Sequence, residues 1–260
     1  MTIVTLPRLH WSPARKPGEP EPHHRALLVH GLGSSGATMW RMGEALAQLG
    51  WSATAVDLRG HGRAPRASRY RIDDLAADLA ATMPENGEPA WDLVIGHSIG
   101  AAAAVVAAAD DAAWARRLLL LDPALTTDDM QRNRVLDGQR ASHSGATIES
   151  TRAENPTWHD LDVQQRVVAV REASLFALEH CVLDNPDWNT APRVADLACP
   201  TLVIAADAEL SDYFRGDHAA EVLASNSLVE QVVIAGAGHS VHRDAPEETI
   251  AAMREWLARV

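Results

Sequence analysis

Residues 92–109, DLVIGHSIGAAAAVVAAA, decide the fold of this chain. The apolar run Leu93–Ile95 is short and ends at a glycine, which is typical of a buried strand that opens into a turn. The alanine-rich stretch that follows, up to about residue 109, predicts a helix that packs closely on a sheet. A buried strand that leads through a tight turn into a helix is characteristic of a parallel sheet covered by helices.

The alternation of strand and helix continues on both sides of this stretch. Further buried strands are predicted at residues 26–29, 51–56, 118–121, 201–205 and 229–234. Helices are predicted at residues 38–49, 72–83, 217–225 and 246–258. A polar, proline-rich segment at residues 12–24 predicts a loop after an N-terminal strand. The sequence therefore predicts an α/β protein with a mostly parallel central sheet flanked by helices.

One long segment interrupts this alternation. Residues 123–196 are helical or loop-like in pattern and contain no clear buried strand, and the regular alternation returns at Thr201. An interruption between two strands of one sheet indicates an insertion. The predicted organisation is a core formed by residues 1–122 and 197–260, with residues 123–196 as an inserted helical cap.

Composition and charge exclude several classes of protein. Cys181 and Cys199 are the only cysteines among 260 residues, which excludes a disulfide scaffold and fits a reducing compartment. A net charge of −12 argues against nucleic-acid or anionic-membrane partners. No apolar run reaches about 18 residues, and the first residues lack the pattern of a signal peptide. We expect a cytoplasmic monomer or homodimer that acts on a small molecule.

The motif Gly96-His97-Ser98-Ile99-Gly100 carries the chemistry. Because it follows a strand and opens a helix, it fits a nucleophile elbow, a sharp turn that exposes the serine hydroxyl at the sheet edge. The helix N-terminus favours negative charge developing there. The alternative is that Ser98 merely caps the helix.

A serine nucleophile needs an adjacent base, because its hydroxyl is a poor nucleophile at its own pKa. His239 follows the glycine turn after the last strand, at the sheet edge where Ser98 emerges, and is the predicted base. His242, three residues on, is the competing candidate. His30 and His97 flank glycines beside the site and are predicted to support it by hydrogen bonding.

Acyl transfer also needs donors for the developing oxyanion. The main-chain N–H of Ile99, the residue after the nucleophile, is one predicted donor. The His30-Gly31-Leu32-Gly33 turn follows the first core strand and offers a second, the N–H of Leu32. Histidine pairs here lack an H-E-x-x-H pattern or a cysteine set, so no metal site is predicted.

Four segments together resemble the α/β-hydrolase superfamily: His30–Gly33, Asp57–Gly62, Gly96–Gly100 and Gly236–His239. They occur in the family's order, and the resemblance covers about residues 25–122 and 197–260. It implies the α/β-hydrolase fold with a variable cap, Ser98 as nucleophile, His239 as base, and Leu32 and Ile99 as oxyanion donors. It also implies that no metal or organic cofactor is required.

The resemblance leaves the acid that orients His239 open between two strand ends. In most relatives this carboxylate follows the strand after the cap, which points to Asp207 or Glu209. In others it follows the strand before the cap, which points to Asp122. We expect the loop after the cap to supply it.

The cap carries Trp158 and Trp188, which either line an apolar substrate pocket or form the cap's own core. The resulting hypothesis is a serine hydrolase that cleaves an ester or lactone of a small, fairly apolar molecule through an acyl-enzyme on Ser98. One alternative is hydrolysis of a carbon–carbon bond in a diketone-like substrate, with cofactor-free perhydrolysis as a weaker one. Another is a ligand-binding receptor with little turnover.

Overall fold

A computed structural model describes residues 2–15 and 22–260, so part of the loop predicted at residues 12–24 lies outside the described residues. The described chain forms one seven-stranded sheet in the order β1-β3-β2-β4-β5-β6-β7. Its strands are β1 Arg8–Trp11, β2 Arg25–Val29, β3 Ser52–Val56, β4 Leu93–His97, β5 Leu118–Leu121, β6 Thr201–Ala205 and β7 Val229–Val233. All neighbouring pairs are parallel except β1, which runs antiparallel to β3 at one edge.

Helices cover both faces of this sheet. They are α1 Trp40–Gln48, α2 Ile72–Ala80, α3 Ile99–Asp110, α8 Gly216–Ser225, α9 Val241–Asp244 and α10 Pro246–Leu257. Helices α2 and α3 pack on one face, and α1 and α10 pack on the other. The predicted α/β fold with a mostly parallel central sheet is confirmed.

The central strands explain why two layers of helices are needed. Every residue of β4, β5 and β6 is buried. Within β5, Leu118 and Leu120 belong to the core on the α3 face, whereas Leu119 and Leu121 belong to the core on the α10 face. Because successive side chains of a strand point to opposite faces, a strand that is apolar throughout must be covered on both. Each such side chain contributes about 1.5–3 kcal/mol on burial.

The segment between β5 and β6 contains four helices: α4 Asp129–Gly145, α5 Ile148–Glu154, α6 Asp160–Glu172 and α7 Leu175–Leu183. Helix α7 is bound to the core, because Ala177 and Cys181 are buried in the same cluster as the α3 face of the sheet. The other three helices lie nearer to the carboxyl ends of the strands, where Arg166 of α6 reaches the loop after β2. None of the helices in the described part of the chain is both long and apolar enough to cross a bilayer.

Candidate active site

The turn between β4 and α3 holds Ser98 in a conformation that few residues adopt, with φ 54° and ψ −121°. A Cβ on Gly96 would lie 2.6 Å from the Cα of Ala101, and a Cβ on Gly100 would lie 2.4 Å from the carbonyl oxygen of His30. Glycine is therefore the residue that fits on each side of the serine. Ser98 makes no side-chain capping bond to the helix, which excludes the helix-cap interpretation.

The hydroxyl of Ser98 faces His239 instead. The His239 Nε2 lies 2.9 Å from Ser98 Oγ. The Nε2–H of His97 donates to the main-chain carbonyl of His239 at 3.0 Å, so His97 holds the loop that carries the imidazole. The ring of Tyr213 lies against the His239 ring, with 4.4 Å between centroids, and no sequence pattern pointed to this contact.

The competing histidine lies elsewhere. His242 is buried, and neither of its ring nitrogens has a hydrogen-bond partner among the described residues. Its ring packs edge-on against His97 at 4.8 Å. Burial lowers the pKa of His242 and of His97 well below the ordinary value, so both rings are neutral at physiological pH.

The carboxylate that contacts His239 is Asp122, at the end of β5. Its Oδ2 lies 2.7 Å from His239 Nδ1, and the same oxygen accepts the hydroxyl hydrogen of Ser211 at 2.6 Å. Its Oδ1 accepts the main-chain N–H of Ala206 at 3.2 Å. The side chain is almost fully buried, so these donors replace the water that a carboxylate would otherwise bind.

The expectation that Asp207 or Glu209 would contact His239 is therefore wrong. The chain turns at the end of β6, and the Asp207 carboxylate accepts the main-chain N–H groups of Gly236 at 2.8 Å and Glu209 at 3.0 Å. These bonds lower the pKa of Asp207 and tie together the loops after β6 and β7. Glu209 is exposed. Because the Asp207 side chain bonds to the main chain of these two loops, it does not contact His239. Asp122, at the end of the neighbouring strand β5, makes that contact.

The two predicted oxyanion donors are Ile99, which follows the serine in the chain, and Leu32, in the loop after β2. Among the described residues, no hydrogen bond uses the main-chain N–H of Ile99 or of Leu32. Leu32 and Ser98 line the same cavity. A Cβ on Gly31 would lie 3.1 Å from the Cβ of Ser98, so the glycine lets the loop after β2 approach the serine closely.

Two buried histidines brace this loop. His30 donates from Nδ1 to the carbonyl of Gly31 at 2.7 Å and accepts the N–H of Leu58 on Nε2 at 3.0 Å. His61 accepts the N–H of Gly33 on Nε2 at 3.2 Å. His30 thus supports the site by hydrogen bonding, as predicted. The contact made by His61 was not predicted from the sequence. Burial lowers the pKa of His61 to about 3, which keeps its Nε2 free to accept.

A cavity of about 390 Å³ opens over Ser98 and His239. Polar side chains form much of its wall, and three of them are arginines: Arg134, Arg166 and Arg243. The expectation of a fairly apolar substrate rested on the tryptophans of residues 123–196, and this wall does not fit it. Among residues 2–15 and 22–260, no group of three or more His, Cys, Asp or Glu side chains is arranged to hold a metal ion.

The two tryptophans have different places. Trp158 lines the cavity, and its indole N–H donates to Asp244 Oδ1 at 2.6 Å. Trp188 does not line it: its indole N–H donates to the carbonyl of Ala124 at 2.8 Å, and its ring is buried in the core on the α3 face. The prediction of Trp188 as a substrate-binding residue is wrong, because the segment folds it under the start of the insertion.

Comparison with known proteins finds a partial sequence relative and solved structures of the same fold. Lipase LipV of Mycobacterium tuberculosis (strain ATCC 25618 / H37Rv) is 34% identical over 140 residues, which are 53% of this chain and 52% of the lipase, so the match spans about half of that relative. N-formylmaleamic acid deformylase from Pseudomonas putida S16 has a TM-score of 0.79 at 23% identity, covering 96% of each chain.

The enol-lactonase from Burkholderia xenovorans LB400 has a TM-score of 0.78 at 15% identity, covering 98% of this chain and 97% of that one. At these identities the two solved structures show a shared fold alone. The model of the alpha/beta hydrolase family matches residues 26–252. Since that match takes in all the segments that build the site, the chain belongs to the alpha/beta hydrolase family.

Proposed function

We propose that this protein hydrolyses an ester or lactone bond of a small molecule through an acyl-enzyme on Ser98. The observation that carries the proposal is the continuous pair of hydrogen bonds from Asp122 through His239 to Ser98, at 2.7 and 2.9 Å. The same three groups in this geometry activate serine in hydrolases of unrelated fold, so the geometry supports Ser98 as the nucleophile.

His239 acts first as a general base. Its Nδ1–H donates to Asp122, which leaves the lone pair on Nε2 to accept the Ser98 proton as Oγ attacks the substrate carbonyl. The buried carboxylate then stabilises the imidazolium. His97 and Tyr213 hold the ring in place, so little reorganisation is needed before proton transfer.

The main-chain N–H groups of Leu32 and Ile99 donate to the oxyanion of the tetrahedral intermediate. Collapse of this intermediate breaks the carbonyl–oxygen bond, and the imidazolium of His239 gives its proton to the leaving alkoxide. Water then attacks the acyl-enzyme, with His239 again taking a proton, and release of the acid regenerates the Ser98 hydroxyl.

Residues 123–196 act in this proposal as a cap that selects the substrate. Nine residues of this segment line the cavity, among them Gln139, Trp158 and Arg166. Lipase and lactonase names among the relatives support ester or lactone cleavage, and the deformylase name adds an N-formyl amide to the substrates worth testing.

The proposal is tested by turnover of four small substrates: 4-nitrophenyl acetate, an aryl lactone, an N-formyl amide and a vinylogous diketone. We expect the ester or the lactone to be cleaved with the highest kcat/KM, and Ser98→Ala to lower it by at least about 10³-fold. Preferred cleavage of the diketone would instead establish carbon–carbon bond hydrolysis. Binding without turnover of any member would establish a receptor.

A further inference from the structure

Two arginines in the wall of the active-site cavity play no part in the chemistry proposed above. Arg243 belongs to α9, just after the loop that carries His239, and Arg166 belongs to α6. The Nη2 of Arg243 donates to Ser34 Oγ at 3.0 Å, and Nη1 of Arg166 donates to the carbonyl of Gly33. Both guanidinium groups are thus anchored on the loop that carries the oxyanion donor Leu32, beside the place where a substrate carbonyl is bound.

Neither guanidinium has a carboxylate partner. Within residues 2–15 and 22–260, no Asp or Glu oxygen lies within 4.0 Å of a side-chain nitrogen of Arg166 or Arg243. The buried Nε–H of Arg243 has no acceptor at all among these residues. Arg59, the other buried arginine, instead binds both oxygens of Asp78 at 2.6 and 2.7 Å.

The acidic side chains nearby are engaged elsewhere. Asp162 accepts from Trp40 and Arg41, and Asp244 accepts the indole N–H of Trp158. Glu154 lines the cavity but is exposed to solvent. The third arginine of the wall, Arg134, is neutralised by both carboxylate oxygens of Asp212, at 2.8 and 2.7 Å.

The two guanidinium groups therefore place positive charge at the cavity wall without a directly bonded carboxylate. Asp162 and Asp244 act on Arg243, and Glu154 acts on Arg166, only from beyond ion-pair distance. Burial lowers the pKa of Arg166 and of Arg243 to about 10 each, and the positive charge of Arg243 contributes to the lowering at Arg166. Both remain charged at neutral pH. The Arg243 guanidinium lies 4.9 Å from the Trp158 ring centroid, which stabilises the cation but supplies no negative charge. An anion in the cavity would satisfy the free N–H and offset the repulsion.

We infer that Arg166 and Arg243 bind a carboxylate of the substrate, so the natural substrate is an ester or lactone that also carries a free carboxylate. The cavity of about 390 Å³ has room for a small molecule of this kind. A planar carboxylate matches the fork of N–H donors on a guanidinium, which a neutral amide does not. This inference rests on the proposed function for the bond that is cleaved. It adds a free carboxylate as a second group of the substrate that the protein recognises.

The test compares monoethyl esters of the straight-chain diacids from succinate to suberate with the matching ethyl ester amides, which have the same shape and no charge. We expect the preferred carboxylate to be cleaved with a kcat/KM at least about tenfold above that of its amide. Arg166→Gln and Arg243→Gln each reduce this ratio towards one. Arg254→Gln, at an exposed position of α10, is the matched control and leaves the ratio unchanged.

Loss of an anchor on the Leu32 loop in either arginine variant would slow acid and amide alike. The ratio of the two kcat/KM values, rather than the rate with one substrate, therefore reports recognition of the anion. If Arg243→Gln does not fold, as judged by circular dichroism, the partly exposed Arg166 carries the test. Equal kcat/KM for acid and amide across the series, with turnover dependent on Ser98, would overturn this inference and leave the proposed function standing.

Binding gives a second readout that needs no turnover. We expect Ser98→Ala to bind the preferred monoethyl ester at least about tenfold more tightly than Ser98→Ala combined with Arg166→Gln, by titration calorimetry at low salt. Equal affinities in the two proteins would contradict the inference even if no substrate were cleaved. Tight, arginine-dependent binding without cleavage would support the anion site while refuting the hydrolase proposal.

Discussion

At the scale of single residues, Asp122 and Asp207 show how two similar carboxylates at neighbouring strand ends come to different uses. Asp122 has a positive φ of 36° and points towards His239, whereas Asp207 turns back onto its own loop. The backbone conformation at each strand end decides which side chain reaches the imidazole. Residue type and spacing favoured the loop after residues 123–196, because neither reveals the direction of a side chain.

The first prediction follows from this contact. Asp122→Asn should lower kcat by about 10³–10⁴-fold, since an amide favours the wrong tautomer of His239 and cannot stabilise the imidazolium. Glu209→Gln, a carboxylate-to-amide change at an exposed position, is the control and should keep kcat within about twofold. Steady-state kinetics on the preferred ester measures kcat for both variants. A large loss in Glu209→Gln with little loss in Asp122→Asn would show that the loop after β6 supplies the acid.

The two tryptophans give a second prediction at this scale. Trp188→Phe leaves the buried carbonyl of Ala124 without its donor, and should lower the free energy of unfolding by about 1–3 kcal/mol with kcat/KM unchanged. Trp158→Phe should change KM for the preferred substrate, because Trp158 lines the cavity and supports Arg243. Urea titration and steady-state kinetics separate the two effects. If Trp188→Phe changed KM and Trp158→Phe did not, Trp188 rather than Trp158 would face the substrate.

At the scale of structural elements, the junction of β4 and α3 depends on two glycines that allow the backbone to pass close by. Gly100→Ala would place a methyl 2.4 Å from the carbonyl oxygen of His30 and 2.9 Å from that of Val29, and main-chain atoms cannot move aside cheaply. We expect a loss of about 1–3 kcal/mol in the free energy of unfolding. Gly145→Ala, in α4 with open space around it, should be neutral or stabilise by up to about 1 kcal/mol. Similar urea midpoints for both variants would contradict this account of the turn.

At the scale of the whole molecule, four buried histidines make stability depend on pH. Burial lowers the pKa of His30, His61, His97 and His242, that of His61 to about 3. In the unfolded chain each has a pKa of about 6.5, so below this pH the unfolded state binds protons that the folded state does not. Stability is therefore retained above about pH 7 and falls as the pH drops below about 6.5.

Each histidine contributes a slope of at most about 1.4 kcal/mol per pH unit to this loss. Urea unfolding at several pH values between 7.5 and 5 measures it. His242→Leu removes a buried ring without hydrogen-bond partners and should reduce the slope by about one histidine's share. A free energy of unfolding that stays constant over this range would show that the rings are protonated in the folded state.

The fold and half of the site follow from local sequence signals. A buried apolar run that ends at a glycine, as Leu93–Ile95 does, places Ser98, and the glycine turn after β7 places His239. Arg166 and Arg243 carry no such signal, because the cavity they share is formed by helices 77 residues apart in the chain, a separation that only the folded structure brings together. His61 lies within the Asp57–Gly62 segment, but the sequence does not show that its ring reaches Gly33 in the loop after β2.

The central claim is that His239 activates Ser98 as a nucleophile, and the site of covalent labelling tests it most directly. The native protein is treated with a fluorophosphonate, digested, and its peptides are analysed by mass spectrometry. The account predicts one label, on Ser98, absent after denaturation and formed at least about 10³-fold more slowly in His239→Ala. A label on another residue, or equally fast labelling of Ser98 in His239→Ala, would contradict it.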